Sequence, residues 1–234
     1  MSTDVPASYN PSDYERPSVT VDVAIFSLVE NDLRILLMKR TERPFVQFWA
    51  LPGTFVSINE SLDDAANRAL ASKTGVTDVY TEQLYTFGEP QRDPRTRVIT
   101  VAYFALVPFT AVKPKINRED NEVSWFSVFD LPQLAFDHAE IVDYALTRLR
   151  YKLEYTAVGF QLLPDVFTLT ELQKSYEIIL SERLDKRNFR RKILSAEILE
   201  ETGQKKKDGE GRPAKLYRYR DDAVAEVKTR RLFP

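Results

Sequence analysis

The stretch LPGTFVSINESLDDAANRALASKTGV, from Leu51 to Val76, decides the fold of this chain. Its second half has the apolar spacing of a helix, carried by Leu62, Ala65, Ala66, Ala69 and Leu70. Gly75 is typical of the residue that ends a helix. We therefore predict a helix over residues 61–73 that follows a glycine-containing turn. Such a turn and helix are typical of a metal and phosphate site, yet few carboxylates lie where metal ligands would be needed.

Strand patterns surround this stretch. The runs VTVDVAIFSLVE and LRILLMKR flank the turn residues Asn31 and Asp32, which predicts a β-hairpin. The later runs VYTEQLYTF and TRVITVAYFALVP also have strand composition, and residues 140–151 have the pattern of a helix. Strands with two flanking helices predict a mixed α/β domain built in layers.

Composition excludes several classes of protein and site. The chain is 43% hydrophobic and 29% charged, which is typical of a soluble globular protein, and we expect it to be cytoplasmic because neither a membrane-spanning run nor a signal peptide is visible. The absence of cysteine excludes disulfides, cysteine zinc sites and thiol nucleophiles. His138 is the single histidine, so a histidine-rich metal site is excluded. Its place at the start of a predicted amphipathic helix favours a capping or packing role.

Charge is distributed unevenly along the chain. Residues 165–234 contain 17 Lys and Arg against 13 Asp and Glu, whereas residues 1–164 contain 16 against 22. A basic segment attached to an acidic one indicates that the C-terminal part of the chain contacts a polyanion.

The C-terminal segment has the pattern of two short helices and a β-hairpin. Thr168 and Glu171 form a T-x-x-E capping box, and the helix that they begin has one apolar stripe, formed by Leu169, Leu172, Tyr176, Ile179 and Leu180. After the break SERL, Asp185 can cap a second helix, KRNFRRKILSAEIL, whose Phe189 and Ile193 face inward. The following KKKDGEGRPAKLYRYRD has the polar, glycine-containing loop of a hairpin. The whole predicts a winged helix-turn-helix.

The second of these helices is the candidate recognition helix for DNA. Arg187, Asn188 and Arg191 share one face, and their side chains can bond guanine and adenine edges in a major groove. We expect the remaining DNA contacts, mostly to phosphates, from Thr168 and from Lys186, Arg190, Lys192, Lys205, Lys206, Lys207, Arg212 and Lys215.

The opening stretch resembles the signature box of Nudix hydrolases. The resemblance places Thr54 on the box glycine, Glu60 on the first glutamate, Arg68 on the arginine and Gly75 on the last glycine. Three further glutamates of the family's box fall on Ala69, Ser72 and Lys73. Because Mg²⁺ is usually held through carboxylates, we expect no metal site, no catalytic residues and no hydrolase activity. Glu60 and Arg68 retain the ion pair that in the family ties the loop to the helix.

A second segment, FGEPQRDPRTRVITVAYFALVP, resembles the part of Nudix proteins that binds or cleaves ADP-ribose and related nucleotides. Three arginines in it, Arg92, Arg95 and Arg97, have guanidinium groups suited to a pyrophosphate. Asp93 either accepts from a ribose hydroxyl or holds one of these arginines. Further candidates for ligand binding, by charge and by a stacking face for adenine, are Arg40, Arg43, Phe48 and Trp49.

Together the two halves resemble the Nudix-related transcriptional regulators of bacterial NAD metabolism. The resemblance implies a Nudix-type α/β/α sandwich followed by a winged helix-turn-helix, with a flexible tail at residues 1–16, an effector-sensing domain at 17–152 and a DNA-binding domain at 153–234. It implies a homodimeric repressor that binds a palindromic operator of NAD synthesis or salvage genes and is associated with the nucleoid when bound. ADP-ribose is the expected effector that releases the protein from DNA, and no cofactor is expected. Two alternatives stay open: a regulator of sugar use with a sugar effector, and an active nucleotide pyrophosphatase.

Overall fold

A computed structural model describes residues 10–75, 77, 79–109, 122–155, 162–207 and 213–220. The N-terminal part holds a short 3-10 helix at Pro11–Asp13, seven strands and two helices. The strands are β1 (Ser18–Val29), β2 (Asp32–Lys39), β3 (Trp49–Ala50), β4 (Gly53–Phe55), β5 (Tyr80–Phe87), β6 (Val98–Leu106) and β7 (Val123–Ser127), and the helices are α1 (Leu62–Thr74) and α2 (His138–Tyr155). The last two residues of α2 are placed in their backbone only.

The seven strands form one mixed sheet. Its central order is β3-β2-β1-β6-β5, while β4 pairs with β1 and β7 pairs with β2. β1 and β6 run parallel, and the other pairs are antiparallel. The sheet confirms the predicted hairpin and the predicted strands after α1; β7 was not predicted from the sequence.

Both faces of the sheet are covered by a helix. On one face, Val23 and Ile25 of β1 pack with the alanines of α1; on the other, Ala24 and Phe26 join a cluster that includes Ile141 and Leu149 of α2. β1 is therefore an almost continuous apolar run, because a strand covered on both faces has no side exposed to water. This α/β/α sandwich is the predicted architecture.

Gly75 ends α1 as predicted, whereas Ser61 lies just before the helix and the hairpin turn differs from its prediction by one residue. Ser61 caps α1 by accepting the Asp64 N–H, and Gly75 ends it at φ 73°. In the hairpin the two residues with positive φ are Glu30 and Asn31, and Asp32 already pairs with Val29. The turn therefore lies one residue earlier than the sequence predicted.

The C-terminal part is a winged helix-turn-helix, as predicted. It consists of β8 (Phe167–Thr168), α3 (Leu169–Leu180), α4 (Lys186–Ser195), β9 (Leu199–Lys206) and β10 (Ala214–Tyr219). The strands form a three-stranded sheet in the order β8-β10-β9. Two details differ from the sequence analysis: β9 begins at Leu199, well before the lysine run, and the two-residue β8 provides a third strand.

One apolar cluster joins the two parts. Residues of β1, β2 and α2 belong to the same cluster as Leu172 and Tyr176 of α3, Phe189 of α4 and Tyr217 of β10. The C-terminal part is therefore packed on the α2 side of the sandwich. α3 also contacts β2.

Candidate functional site

The loop that leads into α1 is clamped by one arginine. Arg68 donates to both carboxylate oxygens of Glu60, at 2.6 and 2.7 Å, and also to the Thr54 hydroxyl and the Phe55 carbonyl oxygen. Gly53 lies so close to β1 that an added Cβ would be 2.1 Å from Asp22 Oδ1. Glycine is required there because the two backbones approach each other. The structure therefore retains the scaffold of the box.

The positions of the missing glutamates do not share one open surface. Ala69 is fully buried in the cluster between α1 and the sheet, whereas Ser72 is exposed. The side chain of Lys73 lies outside the described residues. Asp63 accepts a hydrogen bond from the Tyr103 hydroxyl at 2.7 Å, and Asp64 accepts one from Ser61. Within the described residues, we find no group of three or more His, Cys, Asp or Glu placed to hold a metal ion.

The Glu60–Arg68 pair predicts a specific dependence of stability on pH. Hydrogen bonds from Arg68 and from the Ser57 N–H lower the pKa of Glu60 from its ordinary 4.5 to about 2. A carboxyl whose pKa is lower in the folded state stabilises the fold above the unfolded pKa. This contribution is therefore complete above about pH 4.5 and is lost as the pH falls toward 2. Replacing Glu60 with glutamine should flatten the dependence of unfolding free energy on pH within that window.

Urea unfolding at several pH values between 2 and 5 tests this prediction. The matched control is Glu140→Gln, which removes an exposed carboxylate on α2 and should keep the wild-type slope. A Glu60→Gln slope equal to that of the wild type would show that the pair does not persist in solution.

A groove lined by aromatic rings and arginines lies beside the box loop. It has a volume of about 560 Å³ and is lined by Arg43, Pro44, Phe45, Val46, Pro94 and Arg95. The ring of Phe45 is 5.6 Å from that of Phe48 and 4.9 Å from that of Phe136. Arg40 lies over Phe136 at 4.8 Å. Two of the predicted ligand-binding residues, Arg43 and Arg95, therefore line the groove. Arg40 and Phe48 lie against the neighbouring rings, and Arg40 also donates to the Pro44 carbonyl oxygen at 2.9 Å.

Backbone strain and charge repulsion mark the same groove. Phe45, Gln47 and Phe136 have φ values of 62°, 69° and 54°. These values lie in the left-handed backbone region, which residues other than glycine adopt only at a cost in free energy. Burial and the neighbouring charge of Arg95 lower the pKa of Arg40. A bound anion would relieve the repulsion between these two guanidinium groups. Flat rings beside paired cations are suited to a ligand with an aromatic base and a phosphate group.

The other four predicted ligand-binding residues also have partners within the protein. Arg92 is only 4% exposed and donates to both carboxylate oxygens of Asp137, at 2.7 and 2.6 Å. Asp93 accepts from Arg95 at 2.6 Å, so of its two predicted roles it fulfils the one of holding an arginine. In addition, Arg97 donates to the Gly88 carbonyl oxygen, and Trp49 packs on Phe126 of β7. The structure therefore gives Arg92 and Trp49 contacts within the protein, and their contacts with a ligand stay predictions.

His138, the first residue of α2, is buried and linked to β1. Its Nδ1 accepts the Leu51 N–H at 2.9 Å, while its Nε2 lies 3.7 Å from Asp22 Oδ1. Burial lowers the pKa of His138, so the imidazole is neutral near pH 7. This matches the packing role expected from the sequence.

α4 presents a basic face and is anchored by two buried residues. Phe189 and Ile193 are inside, and the Phe189 ring packs edge-on against Tyr176 at 5.5 Å. Arg191 is exposed and donates to Asn188 Oδ1 at 2.8 Å. The other basic residues of the helix are divided between exposed ones, Lys186 and Arg187, and half-buried ones, Arg190 and Lys192. Arg190 donates to the Thr170 hydroxyl of α3, which limits its reach.

Wing lysines differ in their partners. Lys205 and Lys207 are exposed, whereas Lys206 pairs with Glu171 at 2.6 Å and Lys215 with Glu201 at 2.8 Å. Arg212 lies outside the described residues. Thr168 is 6% exposed, and its hydroxyl accepts the Glu171 N–H, so it caps α3. Its predicted DNA contact stays a prediction.

The turn between α3 and α4 is held by residues that the sequence analysis missed. Glu177 Oε1 accepts the Leu184 N–H at 2.9 Å and the Gln173 amide at 3.0 Å, and Gln173 also donates to the Leu184 carbonyl oxygen. The sequence analysis also missed three residues at or beside the groove, namely Phe45, Phe136 and Asp137. The segment FDH, at the start of α2, is the only sequence signal for Phe136 and Asp137, and it does not specify their partners.

Comparison with known proteins adds to this geometry. Residues 19–145 match the NUDIX domain, and residues 159–219 match the NrtR DNA-binding winged helix domain. The chain belongs to the NrtR family of Nudix proteins. A relative from Acinetobacter baylyi, named ADPR responsive transcriptional repressor NtrR, is 43% identical over 217 residues, which is 91% of this chain and 86% of that protein.

Two solved structures of Shewanella oneidensis NrtR are similar to this chain. The complex with a 27mer DNA is 36% identical, has a TM-score of 0.83, and the match covers 92% of this chain and 99% of that one. The Nudix domain complexed with ADP ribose is 37% identical, with a TM-score of 0.55 and coverage of 61% and 95%. In the part of our chain that the structure describes, no helix is long and apolar enough to span a membrane.

Proposed function

We propose that this NrtR-family chain is an ADP-ribose-responsive transcriptional repressor of genes for NAD synthesis or salvage. The groove beside the box loop binds the effector, with Arg40, Arg43, Phe48 and Arg95 as contacts. α4 binds the operator through Arg187, Asn188 and Arg191. The observation that carries the proposal is the pairing of a cationic, aromatic groove on a Nudix scaffold with an exposed basic helix in a winged helix-turn-helix.

The Nudix part binds its effector without cleaving it. Support comes from Ala69, which is buried among apolar residues, and from Ser72, which has no carboxylate. A hydrolase would need charged oxygen ligands to hold Mg²⁺ at the pyrophosphate.

Repression and release are linked through the dimer. We infer a homodimer on a palindromic operator, because two winged helices one helical turn apart bind related half-sites. The effector-sensing unit comprises residues 17–152 and the DNA-binding unit residues 153–234. ADP-ribose releases the protein by binding more tightly to a conformation that has lower affinity for the operator.

Titration of the complex with operator DNA tests the function. The probe is a labelled duplex that the full-length chain selects from random-sequence DNA. Saturating ADP-ribose is expected to weaken DNA binding by about 5-fold to 150-fold, the usual range of coupling between two sites. Ribose 5-phosphate, which lacks adenine, should leave the affinity for DNA unchanged. If the sugar phosphate alone weakens DNA binding, the effector is a sugar phosphate and ADP-ribose is the wrong assignment. DNA affinity that no effector changes would contradict the proposal.

Hydrolysis is measured separately. The chain is incubated with ADP-ribose and Mg²⁺, and AMP is quantified by chromatography, with an EDTA control. We expect no AMP above background. Turnover that EDTA abolishes would contradict binding without cleavage. The DNA-binding function would still be tested by the titration with operator DNA.

A further inference from the structure

α2 connects the groove with the helix-turn-helix. Asp137, directly before the helix, pairs with Arg92 from the loop that carries Arg95, and His138, its first residue, accepts from the Leu51 N–H. The helix has 18 residues, which corresponds to a length of about 27 Å. Its buried residues Ala145, Leu149 and Leu153 lie in the apolar cluster that also contains α3. One rigid element therefore contacts both functional parts of the chain.

Near its other end, α2 contacts the last turn of α3 through Arg150. The Nε of Arg150 donates to the Ile179 carbonyl oxygen at 2.9 Å, and one Nη donates to the Ser181 hydroxyl at 3.2 Å. Carbonyl groups at the end of a helix have no partner within the helix and carry partial negative charge. A guanidinium group is therefore well suited to this end of α3.

The contact point lies directly at the turn that orients α4. Ser181 has a left-handed conformation, with φ of 57°, and its N–H bonds to carbonyl groups of the last turn. Three residues later, Leu184 is held by Glu177 and Gln173, and Asp185 caps α4. A displacement of Ser181 is thus transmitted to the first turn of the recognition helix.

A surface groove lies beside this contact. A groove of about 470 Å³ lies between the β1–β2 turn, at Asn31, and the end of α3, at Lys174, Ile178, Ser181 and Arg183. The apolar cluster with Leu149 and Leu153 joins α2 to α3 elsewhere in the junction, and the hydrogen bonds of Arg150 add a directional link.

We propose that Arg150 is a positioning residue that couples occupancy of the effector groove to the orientation of α4. The inference rests on the proposed function and specifies how its two sites communicate. Arg150 contacts neither the groove nor the exposed face of α4. Its role is to fix the turn of the helix-turn-helix relative to the sandwich, so that a shift of α2 caused by ligand changes the geometry presented to DNA.

The test measures coupling, because a chain of contacts between two sites is not by itself evidence of communication. Three dissociation constants are determined for the full-length chain: for the selected operator without ADP-ribose, for the operator at saturating ADP-ribose, and for ADP-ribose without DNA. The ratio of the first two is the coupling factor. Replacing Arg150 with glutamine removes the charge and should reduce this factor from about fivefold or more to less than about twofold. ADP-ribose affinity without DNA should change by less than about twofold, since the groove is intact.

Arg148→Gln is the matched control. Arg148 is an exposed arginine on the same helix, so this variant makes the same change in charge and should keep the wild-type coupling factor. A second variant, Ser181→Gly, removes only the hydroxyl acceptor, because glycine adopts the left-handed conformation readily. It should reduce the factor by a smaller amount than Arg150→Gln.

The outcomes separate this inference from the proposed function. A wild-type chain without coupling would contradict the proposed function itself. A wild-type chain that responds to ADP-ribose together with an Arg150→Gln variant that responds equally would overturn the role of Arg150 only. If circular dichroism shows that Arg150→Gln does not fold, Ser181→Gly decides: a reduced factor supports the inference, and an unchanged factor overturns it.

Discussion

Replacing Asp137 with alanine is expected to lower the free energy of unfolding by about 3 to 5 kcal/mol, because it leaves a buried guanidinium group without its partner. The side chain of Arg92 is 4% exposed, and Asp137 accepts both of its parallel hydrogen bonds. Another carboxylate, Asp22, has an oxygen 3.8 Å from Arg92, beyond hydrogen-bonding distance. Asp22 also accepts from the Thr100 hydroxyl, so it offsets only part of the loss.

Function should fall together with stability in this variant. Arg92 lies in the loop that carries Arg95, and Asp137 directly follows Phe136, so the ion pair holds two sides of the groove together. We expect weaker ADP-ribose binding in Asp137→Ala even under conditions where the chain is folded. Isothermal titration measures this effect, and urea unfolding measures the stability.

Two controls identify the cause. Asp143→Ala removes an exposed carboxylate from α2 and should change stability by less than about 0.5 kcal/mol. The double variant Arg92→Met, Asp137→Leu replaces both charges with apolar groups and should recover most of the lost stability. A loss below about 1 kcal/mol in Asp137→Ala would show that Asp22 or water compensates Arg92.

The fold could be predicted where the sequence signal is local. The hairpin of β1 and β2, the helix end at Gly75, the cap Asp185 and the capping box of Thr168 all depend on residues within a few positions of one another. β7 could not be predicted in the same way. All five of its residues are half-buried. Because no buried and exposed faces are distinguished along this strand, its sequence lacks the alternation of apolar and polar residues that marks a strand. The two-residue β8 exists only because β10 pairs with it.

The candidate site shows the same division. Residue type placed Arg40, Arg43, Phe48 and Arg95 in one group; in the fold Arg43 and Arg95 line the groove, and Arg40 and Phe48 lie against aromatic rings beside it. Sequence alone could not separate Arg95 from Arg92, since both flank the same Asp-Pro pair. The difference comes from Asp137, which is 45 residues from Arg92 in the chain and adjacent only in the folded protein. Partners at such separations are set by tertiary structure.

The second large effect is expected for Arg191, on the exposed face of α4. Replacing Arg191 with alanine is expected to weaken operator binding by about 1 to 3 kcal/mol, the usual contribution of an arginine that bonds a base. Arg191 is exposed, and its hydrogen bond to Asn188 orients the guanidinium group before DNA is bound. Phe189 and Ile193, buried between α4 and the rest of the domain, fix the direction of this face. An arginine that is already oriented loses less conformational entropy on binding.

Comparison of two duplexes distinguishes base contact from phosphate contact. Affinity is measured across a salt series for the selected operator and for a scrambled duplex of equal length, with Arg148→Ala as a control for the loss of one positive charge. If Arg191 bonds a base, the operator is weakened while the scrambled duplex is almost unaffected, so the specificity ratio falls. If Arg191 bonds a phosphate, both duplexes are weakened alike and the salt dependence decreases by about one counterion. That second result would contradict base recognition by Arg191 and would leave Arg187 and Asn188 as the remaining candidates on this face.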